Sequence, residues 1–545
     1  MIKGDEKFMR TAFFNGKIYT MDAQGKEANA ILVDNGIIKA IGSSDDILAL
    51  VNDNTKKVDL EGKTIIPGLN DSHMHLMSIG MALEQVMLDE VKSRNELIKM
   101  CQDFSTENEQ VEWVLGRGWN QSKFEDQVMP DRHDLDKVSI DRPMFLRRTC
   151  GHVGVANTKA LELAGLMKTP VEQIVGGHID IGEDGFPTGI LRERAMGLVS
   201  NLIPKFTKED YIRHIEKGAE LALSYGLTSV QSDDLGSPDG SMEEKLKAYQ
   251  EAVENGLKLR VDHQIRLSDP SEIDKYLEIR DRYQFPENTI TYGPLKLMTD
   301  GSLGGRTAYM HAPYTDDATT CGVSIMTQDE INEMYLKGHE KKMQLSAHAI
   351  GDAAMQKLLN AFKLVIPNAK EEDARPRIIH AQITNWHILE QMKELGVVCD
   401  IQPIFVPTDM KIVEDRLGKA RTMQSYVWKT MRTMGIATAG GSDSPVEPCN
   451  PILGLAAAVT RTDLDGNPDG GFLPDEKLTA YEAVGLFTNG SAFAERKEHI
   501  KGSLEIDKLA DFVVLSENIM EIDAERIKDL NVLATYVGGE CVYRK

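Results

Sequence analysis

The stretch TIIPGLNDSHMH, Thr64 to His75, decides the fold. It is a short apolar run bounded by Pro67 and Gly68, and it ends in two histidines one residue apart. In an extended strand, residues two apart project to the same side, so His73 and His75 can grip one metal ion together. Seven further runs of this kind follow: TSVQSD from Thr228, LRVDHQIRL from Leu259, GPLKLMTDG from Gly293, QLSAHAIGD from Gln344, RIIHAQ from Arg377, VVCDIQP from Val397 and IATAGGSDSP from Ile436. Helix-period segments separate most of them, among them EDYIRHIEKGAELALSYG ending at Gly226 and DEINEMYLKGHEKKM ending at Met343. Eight strands alternating with helices predict an α/β fold, a (β/α)8 TIM barrel.

In such a barrel the catalytic groups sit at the C-terminal ends of the strands. His73 and His75 end the first run, Lys296 lies in the fourth, His348 ends the fifth, His380 the sixth and Asp443 the eighth. One histidine alone would read as a hydrogen-bonded core residue. Four histidines, a lysine and an aspartate at strand ends call for divalent cations, most simply two.

Outward from the barrel, TAFFNGKIYTMD and ANAILVDNGIIKAIG near the start form β-rich runs, the second turning at Asn35-Gly36. LADFVVLSE and NVLATYVGGECVY repeat the signal at the far end. The two ends are expected to share a small β-sandwich over residues 1–66 and 491–545, beside a barrel over 67–490. More than a hundred residues separate the first run from the second, so an insertion of about 90–205 is expected as a long excursion over the active-site face.

The chain has 545 residues, 41% apolar and 27% charged, as a soluble globular protein does. A formal charge of −23 repels phosphate backbones and anionic lipid, which argues against nucleic acid or membrane partners and leaves a small-molecule substrate as the expectation. The opening MIKGDEKFMR lacks a signal-peptide apolar stretch and no later run is long enough to span a bilayer, so a cytoplasmic location is expected. Six cysteines without CxxC pairs indicate neither a disulfide framework nor a thiolate zinc cluster. A homodimer is the expected assembly for such an enzyme.

IIPGLNDSHMH, the later single histidines and GGSDSP resemble the amidohydrolase superfamily over nearly the whole chain. GRGWNQSKF, CGHVGVAN, LKLMTDGSLGGRTA, HAIGD and KGSLEIDKLADFVVL resemble, within it, the metal-dependent hydrolase branch that contains N-substituted formamide deformylase. The resemblance implies that His73, His75 and Asp443 hold one metal, that His348 and His380 hold the other, and that Lys296 bridges them. An ammonium has no acceptor, so an unmodified Lys296 cannot bridge, and the resemblance implies a carbamate formed with carbon dioxide; the alternative is a plain lysine ion-paired to Asp443. The metals would be zinc, with manganese, iron or cobalt compatible with the same ligands. The implied reaction is hydrolysis of an amide-type carbon–nitrogen bond, possibly of an N-substituted formamide, by a metal-bridging hydroxide, with Asp443 as general base and then acid.

Substrate contacts are expected from His152, Asp300, Arg306 and His311, each with loop packing or an internal ion pair as its alternative. His178 is a weaker candidate, and Trp119 is read as packing the insertion. Three other readings compete. A mononuclear deaminase of a heterocycle would carry HxxE on strand five and need no lysine, whereas this chain has His348-Ala349-Ile350-Gly351 and keeps Lys296. A non-catalytic scaffold would lose ligands, and all six positions are filled. A binding protein without turnover is the third.

Overall fold

The computed structural model describes residues 10–88, 91–109, 111–148, 153–236, 241–369 and 372–545. Eight parallel strands form one sheet: β1 (Leu69–Met74), β2 (Leu227–Leu235), β3 (Arg260–Arg266), β4 (Ile290–Met298), β5 (Leu345–Ala349), β6 (Arg377–His380), β7 (Val398–Ile401) and β8 (Ala437–Gly440). They pair in chain order from β1 to β8. The two outer strands meet through backbone hydrogen bonds just past their ends, from Asp443 N to His73 O at 2.8 Å and from His75 N to Ser444 O at 2.8 Å. The sheet therefore curls into the expected barrel, and the closing bonds involve three candidate ligand positions.

Helices alternate with the strands because the local chemistry starts and stops them where the barrel needs it. Capping boxes open the helices Met242–Glu254, Pro270–Arg282 and Gln328–Glu340, with Ser241, Asp269 and Thr327 each accepting from the first turn. Gly396 and Gly435 take left-handed φ of 63° and 82° after Trp386–Leu395 and Trp428–Met434, turning the chain directly into β7 and β8.

Inside the barrel the core is partly ionic. Arg377 and Asp400 are both fully buried and paired, Nε to Oδ2 at 2.9 Å and Nη2 to Oδ1 at 2.8 Å, and Nη2 also donates to Ser72 O at 3.1 Å. On the outside of β3, the fully buried His263 ring packs edge-on against Tyr249 at 4.4 Å. Burial pushes the His263 imidazole down to about 4, so it stays neutral in the fold while the unfolded chain protonates near 6.5. Its stabilising contribution is complete above that ordinary value and is lost as pH falls towards 4, up to roughly 3 kcal/mol. Urea unfolding at pH 7.5 and pH 5 should show lower stability at pH 5, with a shallower dependence in His263→Phe; equal slopes would dismiss this role.

Both chain ends share one sheet. Thr64–Pro67 pairs antiparallel with Phe512–Leu515, which continues to Val532–Val537 and Glu540–Arg544 on one side and, through Thr64–Pro67, to Lys17–Tyr19 and Glu27–Ala28 on the other. A second sheet of Ile37–Gly42, Ala30–Asp34, Arg10–Phe14 and Thr55–Asp59 completes the sandwich. Phe13, Phe512 and Tyr536 fill its centre, the last two stacked at 4.5 Å. Ser491–Ala494 is a short helix rather than sandwich strand, and Ser491 Oγ donates to Gly440 O of β8.

The insertion is a folded unit, Ile79–Asp210, rather than a long loop. Its six-stranded sheet has its own apolar core around Val114, Trp119, Leu146 and Val155. Trp119 is fully buried there and its indole N–H donates to Leu146 O at 3.1 Å, as packing requires. His178 is largely exposed and 3.5 Å from Asp180.

Candidate metal centre

His73 and His348 are the penultimate residues of β1 and β5, His380 is the last of β6, His75 and Asp443 lie one and three residues past β1 and β8, and Lys296 is the antepenultimate residue of β4. His73 Nε2 and His75 Nε2 each lie 3.2 Å from Asp443 Oδ1, and one donor atom from each of these residues falls within 4.8 Å of the others. Lys296 Nζ is 3.1 Å from His73 Nε2. The His380 ring centre lies 5.6 Å from His73 and 4.5 Å from His348, which draws the remaining pair to the same place. His380 and Asp443 both have positive φ, 80° and 57°, uncommon for residues with a side chain. Such backbone is typical of sites where side-chain placement outweighs local preference.

The groups behind the histidines decide what their front nitrogens can do. Gln264 Nε2 donates to Ser72 O, which fixes that amide so that its Oε1, 2.8 Å from His73 Nδ1, must accept. Gln402 is fixed likewise by donating to Asp400 O, and its Oε1 accepts from His380 Nδ1 at 2.8 Å. His75 Nδ1 faces the carbonyl of Asp233 at 3.1 Å, and His348 Nδ1 faces Asp300 Oδ1 at 2.9 Å. All four rings therefore carry their proton on Nδ1, and in the neutral form all four Nε2 atoms are lone pairs.

Burial, reinforced by Lys296, pushes His73 down to about 4, so this ring is neutral. Its Nε2 lone pair then confronts a carboxylate oxygen of Asp443, an arrangement that is repulsive unless a cation lies between them. Burial also holds His380 well below its ordinary value. Burial is the largest influence on Asp443 and opposes ionisation, but the His73 and His75 rings facing it outweigh it and hold the carboxyl well below the usual range. A divalent cation would turn that repulsion into ligation by the Nε2 lone pairs and the carboxylate, so the residues present fit a metal.

Lys296 pairs with Asp233, Nζ to Oδ2 at 2.8 Å with both side chains buried, and not with Asp443. Asp233 was not among the candidates. Neither were Gln264 and Gln402, although each belongs to one of the apolar runs quoted above. Asp300 does not present itself to a substrate: its side chain is wholly buried and its oxygens take His348 Nδ1 and the backbone N–H groups of Tyr309, Ile350 and Gly351. It is the holder of His348. Arg306 is spent on Asp316 at 2.9 Å, and His311 lies 3.1 Å from Asp352 while half-exposed. His152 lies outside the described residues.

A (β/α)8 barrel with clustered histidines and a carboxylate at its C-terminal strand ends defines a metal-dependent hydrolase. Residues 56–543 match the model of the amidohydrolase family, and the chain belongs to that family. YtcJ of Bacillus subtilis (strain 168) is 33% identical over 543 residues, 98% of this chain and 100% of its own length. N-substituted formamide deformylase of Arthrobacter pascens is 26% identical over 97% of this chain and 98% of its own. Among solved structures, an uncharacterized metal-dependent hydrolase from Pyrococcus furiosus superposes with a TM-score of 0.76 at 32% identity, covering 94% of this chain and 100% of that one. Among the described residues no helix is long and apolar enough to cross a membrane.

Proposed function

We propose that this protein hydrolyses an amide-type carbon–nitrogen bond of a small molecule with two divalent cations, and that an N-substituted formamide is its substrate. The observation that carries the reading is the common orientation of four imidazoles, each with Nδ1–H tied back and Nε2 left as a lone pair. His73, His75 and Asp443 would hold one cation and His348 and His380 the other. Lys296 would join them as a carbamate: its amine nitrogen would bond the carbon of carbon dioxide, one N–H proton would pass to solvent, and the new carboxylate would supply the oxygen ligands that a plain lysine lacks. A mononuclear deaminase gives no role to a buried lysine among the ligands.

When bound, the cations supply Lewis acidity and make water acidic enough to attack a carbonyl near neutral pH. The rest falls to the chain. Asp443, ionised and in reach of the attacking water, takes its proton and returns it to the departing nitrogen. Gln264, Gln402, Asp300 and the Asp233 carbonyl keep the imidazoles from turning while this happens. The test is formate release from N-substituted formamides by protein purified without chelators and supplied with zinc or manganese. Release of formate and amine in equal amounts is expected; no hydrolysis of formamides, acyl amides or cyclic ureas would defeat the reading.

A further inference from the structure

A cavity of about 660 Å³ opens at the C-terminal ends of β2, β3 and β4, walled by Gly236, Arg266 and Met298 from the strand ends and by Tyr276, Ile279 and Ile325 from the segments that follow. Its volume is that of a small-molecule site. It lies one carboxylate away from the candidate metal centre: Arg266 Nε is 3.5 Å from Asp233 Oδ1, and Asp233 Oδ2 is 2.8 Å from Lys296 Nζ.

The polar groups on its wall are unequal. Glu272 is taken by the N–H groups of Ser268 and Asp269, Glu330 by Thr327, and Glu243 by Tyr283 and Arg282. Arg266 differs. Its guanidinium donates no hydrogen bond among the described residues: Nε is buried 3.5 Å from Asp233 Oδ1, an ion pair without a hydrogen bond, so the quarter of the side chain that is exposed belongs to its other atoms. Gly236 keeps it in place: with φ at 85°, a Cβ there would lie 1.8 Å from Arg266 O, so only glycine allows the strand end to approach. A chamber whose apolar walls are Tyr276, Ile279, Met298 and Ile325, whose glutamates are already bonded, and whose cations are the Arg266 fork and the Lys275 ammonium suits an apolar arm that ends in a carboxylate.

We infer that this cavity is a substrate subsite, that it takes an apolar, ring-sized arm of the amide substrate, and that Arg266 reads a carboxylate on that arm. The inference deepens the amide-hydrolase reading and rests on it. The probes are 3-phenylpropionate and the neutral 3-phenylpropanol, with binding followed by calorimetry on the metal-loaded protein and on Arg266→Gln and Ile279→Trp. The propionate should bind the unaltered protein about tenfold more tightly or better. Arg266→Gln should abolish that preference and leave the alcohol's affinity unchanged, with metal content unaltered. Ile279→Trp, which fills the chamber, should weaken both probes. Equal binding of the two probes, or a preference that survives Arg266→Gln as it would if the metals themselves held the carboxylate, overturns the inference. Binding needs no turnover, so a carboxylate preference in a protein that cleaves no amide would sink the proposed reaction and keep the subsite.

Discussion

Asp443→Asn is expected to lower kcat by roughly 10³-fold or more while most of the metal stays bound. The amide keeps the shape of the carboxylate and one oxygen facing His73 and His75, so a ligand atom survives. It cannot accept a proton and hand it on. The carboxyl is positioned for that task by its close approach to His73 Nε2 and His75 Nε2, both at 3.2 Å, and by a backbone pinned through Asp443 N to His73 O. The measurement is kcat with elemental analysis of the same sample. Turnover within about tenfold of the unaltered protein would remove Asp443 from the proton path, and loss of both metal and turnover would reduce it to a ligand.

Arg377→Met is expected to be the most damaging substitution to stability away from the ligands. It leaves Asp400 ionisable, wholly buried and unpaired inside the barrel, which costs about 3–5 kcal/mol. Burial already raises the Asp400 carboxyl against the pull of Arg377, so the pair is held on narrow terms. The double change Arg377→Met with Asp400→Leu should recover most of that loss, because it removes both charges together. Urea unfolding of the three proteins checks this. Because Arg377 also donates to Ser72 O, next to His73, the single variant should bind metal more weakly even where it remains folded.

The barrel was legible because each strand is a short apolar run closed by turn residues, and because the ligands stand at the ends of those runs. The sandwich was legible from alternating runs at both termini and the Asn35-Gly36 turn. The fold of the insertion was not, although its presence was, since its strands are short, broken by glycines and mixed in direction, and in the sequence they read as separate motifs in one long excursion. Nor were the groups that hold the histidines. Gln264 and Gln402 are ordinary strand or post-strand residues until folding sets them behind His73 and His380, and Asp233 is one of two adjacent aspartates with nothing to mark it as the partner of Lys296. Asp300 was picked out for its position after β4 as a substrate contact or an internal ion pair, and strand order alone does not say that its carboxylate turns back under His348. The positive φ at His380 and Asp443 has only a weak signal in residue type, since histidine and aspartate adopt it more often than other side chains but seldom.

The central claim is a two-metal site bridged by a modified lysine, and metal content per chain tests it most directly. Elemental analysis of protein prepared without chelators, with native mass spectrometry beside it, should give two divalent cations and the added mass of one carbon dioxide, lost in Lys296→Ala. His348→Ala combined with His380→Ala should bring the count down to one. A single cation in the unaltered protein that persists in Lys296→Ala, with no added carbon dioxide, would contradict the account.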